Sequence, residues 1–548
     1  MASRTPIHPV MIVNQTGIDY IVKYKNEWID GRSRCVSRKT VGKLVGKNVI
    51  FGKKFLSENP QYQDTHAIYE NNTIVFVDED PEVLQFIKLA QKCRMLEAGA
   101  TYVLNQIAID SGLADDLQAV FPDSYQEILS LALFFILQPE SSVCSFDTFS
   151  TKTWLPTDKK LEASTITRLF QGISDTARFE YMRRRAAHSK ALSDHAYWAF
   201  DTTSISSFSQ TIRKARFGYN KEEDSLPQVN IALLIDEISG EPIYYKTLDG
   251  SLNDSVLLRN LFMELVQLDL ESIHVVMDRG FCSLANLQTM YREDIGFIVG
   301  AKRRLELIQA AMQRIKPQLK LCIPRSYHSE IESYCLTESI PWIVSTRTGG
   351  KEEKPLYVHI YYSKTKEAQD IQNATHVIQR FETLLSEKNK AIDDRLFRRF
   401  FKCSHNRWEV DDLAWVQFCD TAGFTVLLSN QVQDPVLAMQ IYRQRDVVEK
   451  AFCNFKDRCS GRRFQCEEAA LEGKVFVLYI ALSLLLMLKK RLSNEKLPCD
   501  STPKYLDQLG AIQLCRIDGT KKRYWQELSK KDRDLIRMAK VTLPKSII

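Results

Sequence analysis

Tyr197-Trp198-Ala199-Phe200-Asp201-Thr202-Thr203 is a short aromatic run that ends on an acid, and it reads as a β-strand. Ile273-His274-Val275-Val276-Met277-Asp278-Arg279-Gly280 repeats the design, with a glycine turn behind the acid. Both runs are apolar enough to be buried. Aspartate is seldom buried without a partner, so Asp201 and Asp278 point to a shared ligand at the rim of one sheet. Taken singly, an aspartate after a strand is more often a turn residue or a helix cap. His274, inside the second run, reads as a core histidine rather than a ligand.

The sequence between the two acids supplies the rest of a sheet. Residues 228–236 read as a strand, and 242–248, after Ser239-Gly240, as its hairpin partner. Asp254 is placed to cap a helix over 255–268 that leads into the Asp278 strand. A helix over 283–292 and a strand over 296–300 follow. Three strands, a helix, a strand, a helix and a strand predict a mixed α/β sheet.

A third acid lies far downstream. Tyr442, Arg445, Glu449 and Lys456 are separated by steps of three, four and seven, which return a helix to nearly the same azimuth and give a polar stripe. Ile441, Val448, Phe452 and Phe455 repeat beside it as an apolar seam. A carboxylate flanked by two cations at the edge of a core suits a metal site that also grips phosphate. The plainer alternative is a solvated face on which Arg445 and Glu449 make an i,i+4 pair.

With these residues in view, the chain resembles the insertion-sequence DDE transposases. It is most similar to the IS-four superfamily, in which a Tyr-x2-Arg-x3-Glu-x6-Lys signature surrounds the third acid. The Asp-Thr opening at Asp201, the Asp-Arg-Gly turn at Asp278 and the Gly-x2-Asn-Asp run from Gly250 to Asp254 are similar to that family as well. The likeness spans roughly residues 195 to 490. One stretch departs from it: Gly218-Tyr219-Asn220-Lys221 and Ser225-Leu226-Pro227-Gln228 stand where relatives carry Gly-x-Ser-Lys and Arg-Pro-Asp.

The resemblance implies an α/β fold whose RNase H-like, mixed-sheet core is built from 191–301 and 423–490. It also implies an inserted α+β domain over 302–422. The residues themselves add a β-rich unit over 1–80, a helical DNA-binding or dimerisation region over 81–190, and a helical C-terminal region over 491–548. Within the insertion, 355–362 alternates like a strand and 368–385 looks helical, and 424–428 is the last strand before the Glu449 helix.

By the same resemblance, Asp201, Asp278 and Glu449 are the catalytic acids and hold two magnesium or manganese ions, Asp201 bridging them. Such an ion pair, about 4 Å apart, serves in-line phosphodiester displacement. Tyr442, Arg445 and Lys456 would contact phosphates. Arg279, Lys302, Arg303 and Trp415 are further candidates for contact with DNA, and Trp408 and Trp415 for stacking on a base of a hairpin end, although a core role is the plainer one for both. The implied partners are double-stranded DNA, meaning terminal inverted repeats and target, and a second copy of the chain when DNA-bound. The implied setting is the nucleoid of a bacterial or archaeal cytoplasm. A nuclease that does not join strands, and a DNA-binding descendant that has lost catalysis, are the alternatives.

Composition agrees with this. The net charge is only +6, so its distribution matters more than its sum. Basic clusters stand at Arg183-Arg184-Arg185, Lys302-Arg303-Arg304, Arg395 to Lys402 (where aromatics interleave with cations) and Lys456 to Arg463. The 13 cysteines form no CxxC pair, which favours a reducing compartment; Cys322, His328 and Cys335 lack zinc-knuckle spacing. The apolar run 475–488 is short for a bilayer and reads as a buried helix.

Overall fold

A computed structural model describes residues 5–77, 81–192, 197–218, 226–251, 261, 264–265, 274–345, 350–388, 394–404, 407–493, 501–518 and 522–545. The chain divides into two compact units. The first comprises residues 1–96, 513–527 and 544–548; the second comprises 97–512 and 528–543.

The first unit contains an antiparallel meander of six strands in sequence order: β1 (Val10–Gln15), β2 (Ile18–Ile29), β3 (Arg32–Val45), β4 (Asn48–Phe51), β5 (His66–Glu70) and β6 (Thr73–Val77). Val10, Ile21, Val41, Val49, Ala67 and Ile74 fill its core, with Phe51, Tyr62 and Phe76 stacked against it. A further strand, β7 (Cys93–Glu97), follows.

The second unit is organised around a ten-stranded mixed sheet. Its strands are β8 (Tyr197–Ser207), β9 (Gln228–Asp236), β10 (Pro242–Asp249), β11 (His274–Met277), β12 (Gly296–Gly300), β13 (Tyr327–His328), β14 (Ser333–Ser345), β15 (Lys351–Tyr362), then, past the separate hairpin β16 (Phe401–Ser404) and β17 (Arg407–Val410), β18 (Phe424–Ser429) and β19 (Arg463–Phe464). The order is β10-β9-β8-β11-β12-β18-β15-β14-β13, with β19 added beside β8. β11 runs parallel to both β8 and β12, and β9 runs antiparallel to β8. Every residue of β9, β11 and β12 is buried, as expected of strands covered on both faces.

Most expected elements are present, with three differences. β8 does not end at Asp201. It runs on through a Thr/Ser/Ile stretch to Ser207, because β9 pairs with it from Trp198 to Ser206, and only the β11 side stops at Phe200. The insertion is not a self-contained domain. Its hairpin β14–β15 is bonded to β18 over Tyr357 to Tyr362 and so extends the main sheet. The C-terminal stretch carries strands β20 (Gln513–Ile517) and β21 (Arg523–Trp525), which form a small sheet with β7, as well as helices. Asp254 and most of the helix expected over 255–268 lie outside the described residues, as do 219–225.

The helices that matter for the site are α1 (Tyr125–Leu137), α2 (Ala163–Gly172), α3 (Asp175–Leu192), α4 (Leu284–Arg292), α5 (Lys364–Lys388), α6 (Arg395–Phe400), α7 (Asp412–Thr421), α8 (Pro435–Gln444), α9 (Asp446–Arg458) and α10 (Glu468–Leu492). Ser283 caps α4 through the Asn286 amide. The apolar run expected over 475–488 is the middle of α10, whose 25 residues are long and apolar enough to cross a membrane, yet 83% of its apolar window is buried within the protein. It packs against α1 and α2, and the Tyr479 hydroxyl donates to the Pro242 carbonyl at 2.6 Å, which ties it to the sheet edge.

Candidate active site

The two aspartates are brought together by strand register. β11 and β8 pair in parallel from His274↔Tyr197 to Met277↔Phe200, so each strand reaches its acid at the next residue. Phe281 anchors the turn behind Asp278, its ring 5.0 Å from that of Phe200, and its amide donates to the Asp278 carbonyl. Lys302 holds the same turn by donating to the Gly280 carbonyl at 3.0 Å. Both aspartates are half-buried.

The third acid comes from a helix pair rather than one helix. α8 ends at Gln444, Arg445 bridges through a bond from its amide to the Tyr442 carbonyl, and α9 begins at Asp446. The apolar seam is buried as expected: Ile441, Val448, Phe452 and Phe455 are all at most 8% exposed. Asp446 and Glu449 fall in the first turn of α9 and Lys456 and Arg458 in its last, each sign suited to the helix dipole.

Arg445 is the hub. It donates to Glu449 at 2.8 Å, and its guanidinium carbon lies 5.5 Å from the Tyr442 ring centre. Burial works to lower its pKa, but Tyr442, Asp278, Glu449 and Asp201 outweigh burial and hold it above the ordinary arginine range. Tyr442 donates its hydroxyl to Asp278 at 3.3 Å, and burial followed by that carboxylate pushes its pKa up to about 12, so the hydroxyl keeps its proton at neutral pH. Gly300 makes room for this contact: a Cβ there would lie 2.8 Å from the Tyr442 hydroxyl and 3.0 Å from the Arg279 amide.

A cavity of about 420 Å³ opens beside this helix pair. Tyr442, Arg443, Arg445 and Glu449 line it from one side, and Ser363 and Lys366 of the insertion from the other.

The donor set suits a hard divalent cation: three carboxylates, two at the ends of a shared register and the third on the helix packed over β8. They are not gathered into a cage, since Glu449 is turned to Arg445, and among the described residues no group of three His, Cys, Asp or Glu is spaced to ligate one ion.

The other predicted residues are placed as follows. Arg279 is exposed at the turn after Asp278, and Lys302 and Arg303 follow β12 and are half-buried. Trp415 packs with Phe400 and Phe418 in a satellite core of the insertion, and Trp408 rests on Phe397. The Arg183–Arg185 cluster serves the fold: Arg183 and Arg184 pair with Glu180, and buried Arg185 with Asp116 and Glu241.

Sequence reading missed Glu237. Both its carboxylate oxygens are buried with no hydrogen-bond partner, as is Nε of Arg445. Burial, then repulsion from Asp236, raises its pKa to about 9, with Arg445 pulling the other way. The folded chain thus keeps a proton that the unfolded chain releases above its ordinary value of 4.5, and stability is lost as pH rises between those two values. Glu237→Gln should therefore raise the thermal midpoint at about pH 8, by the equivalent of about 1–3 kcal/mol, and leave it unchanged near pH 4. Equal effects at both values of pH would contradict a protonated Glu237.

The mixed α/β sheet thus presents two acids on adjacent strands, with a third on a following helix. The family profile described as "Transposase DDE domain" matches residues 195–484, just over half of the chain, and the chain belongs to that family. A cryo-EM structure of a piggyBac transposase synaptic complex with hairpin DNA is similar at 13% identity, over 74% of this chain and 70% of that one, with a TM-score of 0.34. No curated protein matches.

Proposed function

We propose that the chain is an insertion-sequence transposase of the IS-four superfamily, with an RNase H-like core. It binds the terminal inverted repeats of its element as a dimer, cleaves the DNA and joins it to a target. The strand order β10-β9-β8-β11-β12, with its first two pairings antiparallel and the next two parallel, supports the RNase H-like reading. The observation that carries the functional reading is the shared register that brings Asp201 and Asp278 side by side, next to a helix pair whose Tyr442 donates to Asp278 and whose Arg445 pairs with Glu449.

In this reading Asp201, Asp278 and Glu449 would hold two magnesium or manganese ions, whose charge would serve to activate an attacking hydroxyl or water and to stabilise the leaving oxygen. Tyr442, protonated at neutral pH, offers a phosphate its hydroxyl. Arg445 offers a planar fork, and Lys456, two turns further along α9, a compact point charge. The cavity between α8–α9 and the insertion leaves space for the strand end beside Glu449. Such an enzyme works at the nucleoid, in the cytoplasm.

The test is incubation with duplex carrying the element's own flanking repeats, a target plasmid, and magnesium or manganese. Joined products support the transposase. Cutting without joining supports the nuclease alternative, and repeat binding without cutting under either metal supports the DNA-binding descendant.

Lys456→Ala should weaken duplex binding uniformly across sequences and lower the slope of log K against log salt by about 0.9, the value for one phosphate contact. Unaltered affinity in a fluorescence anisotropy titration would remove Lys456 from the DNA interface.

A further inference from the structure

We propose that Arg279, Arg303 and Arg399 form a phosphate-binding site beside Asp278 that grips the backbone of the DNA strand being cut. The proposal rests on the transposase reading and picks Arg399 out of the basic cluster Arg395 to Lys402 of the insertion.

The three arginines come from separate segments. Arg279 directly follows Asp278, Arg303 lies just past β12, and Arg399 is carried by α6 of the insertion. Arg303 is tied in place by donating to the Thr421 carbonyl at the end of α7. Arg399 lies over the rings of Phe400 and Phe418, at 5.2 and 5.1 Å, which leaves the N–H fork at the edge of the guanidinium available.

Geometry gathers them: Gly300, three residues before Arg303, lies against the Arg279 backbone, and Arg303 and Arg399 meet the same helix α7, at the Thr421 carbonyl and the Phe418 ring. Arg303 is pushed below the ordinary arginine range, first by burial and then, against the pull of Asp370, by Arg279 and Arg399; Arg399 is lowered by burial and by Arg279. None of the three makes an ion pair with a described residue, and Asp370 is already engaged by Lys366 at 2.7 Å. Gathered like charges repel, so the fold holds these groups together at a cost that an anion relieves. Arg279 and Arg399 are exposed, and a backbone phosphate is the anion that a DNA strand laid across Asp278 would bring.

The test is fluorescence anisotropy of a labelled duplex titrated against salt, with wild type, Arg399→Gln, Arg399→Lys and Lys456→Ala. Arg399→Gln should bind about tenfold more weakly at low salt, with the salt slope reduced by about 0.9, and Arg399→Lys should restore the slope. A single neutral methylphosphonate near the cut should weaken wild type and leave Arg399→Gln indifferent at that same position. If Arg399→Gln keeps the wild-type slope while Lys456→Ala lowers it, the site is refuted and the DNA reading stands. If wild type itself shows no salt-dependent binding, both fall.

Discussion

Asp278→Asn is expected to reduce DNA cleavage and joining by at least about 10³-fold while leaving duplex affinity within about twofold of wild type. Asp201→Asn and Glu449→Gln should behave alike. The asymmetry follows from what each group does. The acids are anionic and contribute no attraction to a polyanion, whereas affinity rests on the cations around them. Glu449→Gln also releases Arg445 from its 2.8 Å ion pair, and its affinity should be equal to wild type or slightly higher. Gel assays of cleavage beside anisotropy titrations measure the two quantities separately. A variant that lost binding and cleavage in proportion would make these acids structural rather than catalytic.

The largest effect on stability is expected at Gly473. It lies in α10, where that helix crosses α2, and a Cβ there would fall 2.0 Å from the Phe170 carbonyl oxygen and 2.6 and 2.7 Å from its C and Cα. Those neighbours are backbone, so no side chain can swing aside; the two helices must separate. α10 is also the helix that ties α1 and α2 to the sheet through Tyr479, and its Glu472 receives Arg178 of α3 and Lys214. Gly473→Ala should therefore cost about 3 kcal/mol or more and lower the thermal midpoint by several degrees. Circular dichroism melting measures it, and a midpoint unchanged from wild type would contradict a close backbone crossing of α10 and α2 at Gly473.

The strands around the acids were legible because their signals are local. The runs at 228–236, with its apolar stretch Ile231 to Ile235, and 296–300 are bounded by turn residues, and they form β9 and β12 with those limits. The α8–α9 seam was legible for the same reason, since Val448, Phe452 and Phe455 repeat at the helical period and are buried. What stayed hidden depends on partners distant in sequence. Asp201 reads as a strand end only until β9 is known to run past it, and the break at Arg445 is invisible to periodicity because Arg445 itself keeps a helical backbone, at φ −52° and ψ −24°. The insertion reads as a domain because its hairpin gives no hint that β15 will find β18. Glu237 gains its meaning only from its burial and the charges near it, Asp236 and Arg445, and Arg399, legible in the sequence only as one of a basic cluster, gains its meaning from Arg279 and Arg303.

The central claim is that Asp201, Asp278 and Glu449 act as one metal-holding set. Anomalous diffraction from manganese in a crystal of the chain bound to cleaved repeat DNA tests it most directly. The account predicts manganese peaks bonded to the carboxylates of Asp201 and Asp278, with Glu449 moved off Arg445 to complete the set. Manganese bound elsewhere, with Glu449 still paired to Arg445 in a complex that cuts DNA, would contradict it.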